Sequence, residues 1–433
     1  MALSSRTTIH AATLCAGLGL ALGACQGAER SGAGSGAAKS EPAPLEEVGS
    51  KGEAIDTLEQ AAVALDPVCG TIVFARSEAG EHGATTAALF RAAAPQPQVL
   101  GGEPTSAHEH EHEHGAPEPS RFPAAVSPDG AQLLVLVSTP TPSGKTADAL
   151  ELWSLEDPGA GGKALEGMTQ GAMIRLPSFG PDGSYIVFES DANSFRDLYR
   201  YDFARAQVLR LSDDPKGNFE PAVSPGGQRL AFVSSRDGDP ELYVMGADGG
   251  GATRLTQSPG DDSSPRWSPD GSSLAFLSTR ERARGWDIYL MSAQGGPARP
   301  LVERDARVTV RDHAWSPDGR HLAWIELGSE QGVAPLVVVE VDTGKQVLRT
   351  TATAVDQQPA WSPDGRELVF SRGEGPGRST LMRLSLEEGL ASLSPLLVAD
   401  PAAPIDWLPR WAPGPGCTRV APPMAPTPQS SQG

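Results

Sequence analysis

The stretch Trp267-Ser-Pro-Asp-Gly-Ser-Ser-Leu-Ala-Phe276 decides the reading of this 433-residue chain, because it recurs. Within it, Pro269 presets φ for the second position of a turn, Asp270 accepts a hydrogen bond from the main chain, and Gly271 takes the positive φ that reverses the chain. An apolar residue precedes the turn and an apolar run follows it, so the turn joins two strands. The signature returns at Ser127-Pro-Asp-Gly130, Gly180-Pro-Asp-Gly183, Ser224-Pro-Gly-Gly227, Ser316-Pro-Asp-Gly319 and Ser362-Pro-Asp-Gly365, and in degraded form at Ala412-Pro-Gly414. Successive final glycines are 53, 44, 44, 48, 46 and 49 residues apart. A period near 45 residues marks a repeat architecture, each unit being one supersecondary element.

Working outward from the turn, a period contains four strand signals. The residue before it is apolar (Val126, Phe179, Val223, Trp267, Trp315, Trp361, Trp411). Runs such as Tyr185-Ile-Val-Phe188 follow it, then a third strand such as Asp287-Ile-Tyr-Leu-Met291, then a short fourth such as Ala252-Thr-Arg-Leu-Thr256. Four antiparallel strands per period make a propeller blade, which must stack on neighbours to bury its two faces. Post-turn strands occur at 70–74, 133–137, 185–188, 230–233, 274–277, 322–325 and 368–370. The expected fold is therefore an all-β, seven-bladed β-propeller, with six or eight blades as alternatives. The first of these strands lacks a turn motif before it, and the last turn motif lacks a strand set after it. A strand at Leu408 to Trp411 is expected to complete the blade begun at Gly70 and so remove the exposed edges.

The run Trp-Ser-Pro-Asp-Gly, then Leu-Ala-Phe, Asp-Ile-Tyr-Leu-Met and Arg-Leu-Thr, resembles the TolB-like β-propeller repeat from about Gly70 to Pro415. The resemblance implies the fold more than a function. A TolB protein has an N-terminal α/β domain ahead of a six-bladed propeller, whereas here that space holds low-complexity sequence.

At the N-terminus, Met1 to Arg6 carries one positive charge and Ala11 to Ala24 is an apolar run too short to span a bilayer, the pattern of an export signal. It ends Leu22-Gly-Ala-Cys25, which resembles the lipobox of bacterial lipoproteins and implies a diacylglycerol anchor on Cys25. Gln26 stands where that family's inner-membrane retention signal has Asp, so the resemblance implies an exported, outer-membrane-anchored protein facing the periplasm or the cell surface. The expected division is 1–24 signal peptide, 25–66 lipidated tether, 67–418 propeller and 419–433 Pro-rich disordered tail. Cys69 and Cys417 flank the repeat region, and closing the ring brings them to one seam, where a disulfide is expected.

A charge balance of 35 Lys and Arg against 54 Asp and Glu, net −19, argues against nucleic acid as a partner. No stretch reaches the ~18 apolar residues of a membrane-spanning helix. The His/Glu alternation at His108, His110, His112 and His114 offers imidazoles and carboxylates that suit weak Zn²⁺ or Ni²⁺ capture, but no ordered spacing fixes a tetrahedron. No other cofactor is implied. Ser143-Gly-Lys-Thr146 lacks the leading Gly of a phosphate loop and runs into a strand pattern. Asp237-Gly-Asp239-Pro-Glu241 falls where a blade needs its second hairpin turn rather than where a calcium loop could complete itself. The reading is a non-enzymatic binding or scaffolding module, anchored to the membrane through Cys25, with an envelope protein or small ligand at the channel. A metal-dependent lyase or hydrolase using channel histidines such as His313 is the alternative. Clustered channel His, Asp and Gln would favour that alternative, and a channel of small and apolar residues would favour binding.

Overall fold

The computed structural model describes residues 70–77, 85–91, 94–99, 119–141, 146–169, 171–281, 285–303, 308–328, 333–351, 354–375, 378–396 and 405–413. Cys25, Cys69, Cys417, His108, His110, His112 and His114 lie outside these residues, as do the expected signal, tether and tail.

The described strands form seven four-stranded antiparallel sheets. Six are made of consecutive strands whose first members are Ser120–Val126, Ile174–Phe179, Asn218–Val223, Asp262–Trp267, Thr309–Trp315 and Val355–Trp361. The remaining sheet is composite. Ile405–Ala412 pairs with Thr71–Ser77, Ile72 standing opposite Trp411, and Thr85–Arg91 and Ala94–Val99 follow. The strand that finishes the chain's pattern thus supplies the first strand of the sheet that begins it. Arg410 Nε reaches the Ala124 carbonyl at 3.3 Å, tying this sheet to the one headed by Ser120–Val126. The architecture is an all-β propeller. No described helix is long and apolar enough to cross a membrane.

The turns form as their residues dictate. Ser268 Oγ donates to Asp270 Oδ1 at 2.5 Å and accepts from Ser273 N at 3.0 Å, while Gly271 takes φ +73 and donates its N–H to the Ser268 carbonyl. Ser127, Ser316 and Ser362 repeat the arrangement. Each turn's proline lies against the next turn's glycine, Pro128 on Gly183, Pro181 on Gly227, Pro225 on Gly271, Pro269 on Gly319 and Pro317 on Gly365. Second-strand aromatics occupy the middle of the sheets, Phe74, Phe188, Phe232, Phe276, Trp324 and Phe370 being all but fully buried. The clusters around them interdigitate between neighbouring sheets, as where Ala231 and Val233 meet Trp267 and Phe276. Thr146–Ser154 is a strand, and residues 235–240 form the hairpin link before Glu241–Gly246.

Candidate channel site

The first strand of each sheet is the innermost, and six of the seven are bulged at one place. Two residues stand opposite one buried aromatic: Leu176-Pro177 faces Phe188, Glu220-Pro221 faces Phe232, Ser264-Pro265 faces Phe276, Asp312-His313 faces Trp324, Gln358-Pro359 faces Phe370 and Leu408-Pro409 faces Phe74. The first bulge residue is left-handed in five of them, with φ 48 at Leu176, 57 at Glu220, and 54 at Ser264, Asp312 and Gln358. Side chains other than Gly pay about 1–3 kcal/mol for such a conformation, which recurs where a strand must re-aim its side chains at a site.

The re-aimed carboxylates pin one sheet to the next. Glu220 Oε2 accepts from Ser263 Oγ at 2.7 Å and from Ser264 N at 2.5 Å, and Asp312 Oδ2 accepts from Gln358 N at 3.4 Å. Glu189, buried and paired with Arg196, accepts from Glu220 N at 2.8 Å. Burial raises the Glu189 carboxyl pKa, against the pull of Arg196 and the Glu220 N–H.

Two residues past the start of each bulge, most repeats carry a small side chain, Ser178, Ala222, Ala314 or Ala360, but Arg266 and Arg410 stand there in the other two. Their sheets are not neighbours, because those headed by Thr309–Trp315 and Val355–Trp361 lie between them. Repulsion from the Arg266 guanidinium nonetheless contributes to lowering the Arg410 pKa. Burial is the larger cause for both; Glu220 and Asp312 oppose it at Arg266, and Asp312 opposes it at Arg410. Arg266 is nonetheless solvent-exposed. Asp312 lies among Arg311, Arg266 and Arg410, and burial raises its pKa against their attraction.

His313 occupies the bulge position that holds Pro177, Pro221, Pro265, Pro359 and Pro409 elsewhere. It is buried, hydrogen-bonded to the Ala275 main chain, and its Nε2 has no partner. Burial first, then Arg266, depresses its pKa to about 3, so the ring is neutral at ordinary pH. His321 stacks on Trp361 instead, with centroids 6.3 Å apart. Among the described residues, no three His, Cys, Asp or Glu side chains are placed to share a metal ion. Asp237 and Glu241 do not converge on an ion site either. Asp237 accepts from Tyr243 Oη, and the buried Glu241 accepts from Thr256 Oγ1 at 2.5 Å, Ser258 N at 2.7 Å and Arg254 at 2.9 Å.

The bulged strands carry small side chains at Ala222, Ala314 and Ala360 and carboxylates at Glu220 and Asp312, and Arg266 and Arg410 supply the cations. That pair escaped the sequence reading, although aligning the repeats on their turns exposes Pro-Arg-Trp at Pro265 and Pro409 against Pro-Ala or Pro-Ser elsewhere.

A β-propeller with a charged channel is the class this geometry defines. The TolB beta propeller domain matches residues 212–394, and the chain accordingly carries the TolB-type propeller repeat. TolB from Acinetobacter baumannii is similar in structure at 20% identity and a TM-score of 0.50, over 80% of this chain and 83% of that one. An oligogalacturonate lyase from Vibrio parahaemolyticus aligns at 15% identity and TM-score 0.51, over 76% and 86%. A Mycobacterium tuberculosis puromycin-hydrolyzing peptidase aligns at 19% and 0.54, over 76% and 52%. At these identities the likeness is one of fold. No curated protein matches the chain by sequence.

Proposed function

We propose that the protein is an exported, lipid-anchored cell-envelope propeller of seven blades that acts as a binding or scaffolding module, its ligand or partner engaging the channel. The observation that carries this reading is the bulge repeated along the innermost strands, which sets Glu220, Asp312, Arg266 and Arg410 at or beside equivalent places around the ring. A rigid ring that aims charged groups into a solvated opening suits recognition, and propellers place their functional groups at the channel ends. The TolB-type repeat supports a protein-binding role in the envelope in general terms. Metal-dependent lyase or hydrolase chemistry is the second reading, and the unpartnered Nε2 of His313 is the feature that favours it.

Three further assignments belong to the same proposal. Cys25 carries the lipid, Cys69 and Cys417 form a disulfide at the seam, and His108, His110, His112 and His114 capture Zn²⁺ or Ni²⁺ weakly. Replacement of Cys25 by Ser should release the protein from salt-washed membranes. Non-reducing peptide mapping should yield a Cys69–Cys417 cross-linked peptide. Deletion of residues 107–115 should remove calorimetric Zn²⁺ binding without lowering the melting temperature.

The deciding experiment is capture of partners by the lipidated protein from its native envelope, followed by mass spectrometry, beside the Arg266→Gln/Arg410→Gln double variant. A partner captured by the wild type and lost by the variant is the expected result; no channel-dependent partner overturns the protein-binding form of the reading.

A further inference from the structure

We propose that Met173 is a peroxide-oxidation site whose sulfoxide is received by the guanidinium of Arg175.

Arg175 lies on the innermost strand Ile174–Phe179, and Met173 comes just ahead of that strand. In register Arg175 stands opposite Glu189, but both oxygens of that carboxylate are taken, Oε2 by Arg196 and Oε1 by the Glu220 N–H at 2.8 Å. Arg175 turns to a thioether instead. Its Nε lies 3.2 Å and its Nη2 2.9 Å from Met173 Sδ, and among the described residues it has no oxygen acceptor and no ion pair. Other arginines beside buried acids take carboxylate oxygens, as Arg280 does with Asp262 at 2.8 Å and Arg372 with Asp356 at 2.7 Å. At Met173 a fork shaped for oxygen lone pairs converges on a weak acceptor.

Both side chains are half-buried, so a small oxidant reaches the sulfur. A peroxide supplies the oxygen. A sulfur lone pair attacks one peroxide oxygen, the S–O bond forms as the O–O bond breaks, and that oxygen's proton passes to the departing hydroxide to give water. Sulfur is oxidised, the peroxide is reduced, and the side chain becomes a polar sulfoxide that enzymes can reduce again. In a core that change disrupts packing. Beside Arg175 the new oxygen is a strong acceptor next to two N–H donors, and the rotatable bonds of methionine let it turn to them. The main chain is held meanwhile, since Met173 N donates to Asp191 Oδ1 at 2.7 Å. Oxidation thus exchanges a weak N–H···S contact for a charge-assisted one and fastens the segment that enters this sheet.

The test is limited hydrogen peroxide treatment of the purified full-length chain in detergent, read by peptide mass spectrometry and thermal denaturation. Met173 should gain one oxygen at a dose that leaves Met245, Met291 and Met382 reduced, since none of these is more than 8% exposed. Met168, also half-buried, is the reference for access. Arg175→Gln should fold, having no carboxylate to abandon. The shift in melting temperature on oxidation should be less favourable in this variant than in the wild type by about 1–2 °C. Damage at other methionines is common to both proteins, so the difference reports the Met173–Arg175 contact.

A second measurement needs no oxidant. Met173→Gln brings an amide oxygen to the guanidinium and Met173→Leu does not. The difference in melting temperature between these two variants should favour Gln more with Arg175 present than in the Arg175→Gln background. Met173 still reduced once Met168 is converted, equal oxidation shifts in the wild type and Arg175→Gln, or a Gln-to-Leu difference that ignores Arg175 overturns the site.

Discussion

The carbonyl oxygen of Pro413 sits so close to Gly130 that a Cβ placed on that glycine would lie 2.1 Å from it. The contact joins the last turn motif to the first, 283 residues apart in sequence, and continues the stacking of proline on glycine seen between the other turns. Gly130 is also left-handed, at φ +77. Gly130→Ala should therefore destabilise the protein through both the strained backbone and a clash with main-chain atoms that cannot rotate away. Gly251→Ala is the control, since φ there is +68 and nothing lies within 4 Å of the added methyl. The control should cost about 1–2 kcal/mol for the left-handed conformation, and Gly130→Ala distinctly more. Urea denaturation of the two variants decides it: equal losses would mean that the seam is not tightly closed.

Tryptophan indoles stitch successive inner strands together. Trp267 Nε1 donates to the Ala222 carbonyl at 2.8 Å, Trp315 to Arg266 at 3.2 Å and Trp361 to Ala314 at 3.1 Å. The fragment Trp-Ser-Pro-Asp-Gly thus does two things: its serine and glycine make the turn, and its tryptophan satisfies the carbonyl of the preceding sheet. Trp361→Phe keeps most of the apolar bulk but leaves the Ala314 carbonyl without this donor. A loss of about 1–3 kcal/mol is expected, measured by thermal denaturation. A loss no larger than the uncertainty of the measurement would show that water replaces the indole.

Buried acids at the sheet ends should be the most sensitive positions outside the core. Asp356 receives Arg372 Nε at 2.7 Å and Nη2 at 3.0 Å, together with Thr350 Oγ1 at 2.6 Å, and is fully buried. Removing Arg372 leaves that carboxylate uncompensated, so Arg372→Ala should cost about 3–5 kcal/mol. Asp356→Asn with Arg372 retained should cost less, because the amide keeps one acceptor for the network. Chemical denaturation of both variants gives the order, and a larger loss in Asp356→Asn would contradict it.

Much of this fold was legible because its signals are local. Ser, Pro, Asp and Gly at fixed spacing specify a turn through their own dihedrals and hydrogen bonds, and the second-strand aromatics follow at constant distance. The pairing of Ile405–Ala412 with Thr71–Ser77 was legible for a different reason: a strand set lacking its first member and a turn lacking its followers complete one another. The bulges were not legible. Leu176, Glu220, Ser264, Asp312 and Gln358 share a left-handed φ but no chemistry, so the tertiary context sets that conformation and not residue preference. Arg266 and Arg410 were hidden for another reason: they are 144 residues apart, and only alignment of the repeats on their bulges shows that they occupy one equivalent position.

The histidine that replaces proline in one bulge gives a pH dependence of known sign. The His313 pKa is depressed to about 3, chiefly by burial and then by Arg266, whereas an unfolded imidazole titrates near 6.5. Between those values the unfolded chain binds a proton that the folded chain refuses, so stability falls as pH falls, by at most about 1.4 kcal/mol per pH unit. Above the unfolded value the residue contributes no slope. Asp312 beside it has a raised pKa and acts in the opposite sense as pH rises; it is retained in both proteins compared. The test is His313→Pro. The same bulge geometry accepts proline after Leu176, Glu220, Ser264 and Gln358, whose φ values of 48, 57, 54 and 54 bracket the 54 of Asp312. The variant should fold, and its melting temperature should decline less steeply than the wild type between pH 6.5 and pH 4. Parallel declines over that range would show that the buried imidazole takes up its proton without unfolding the ring.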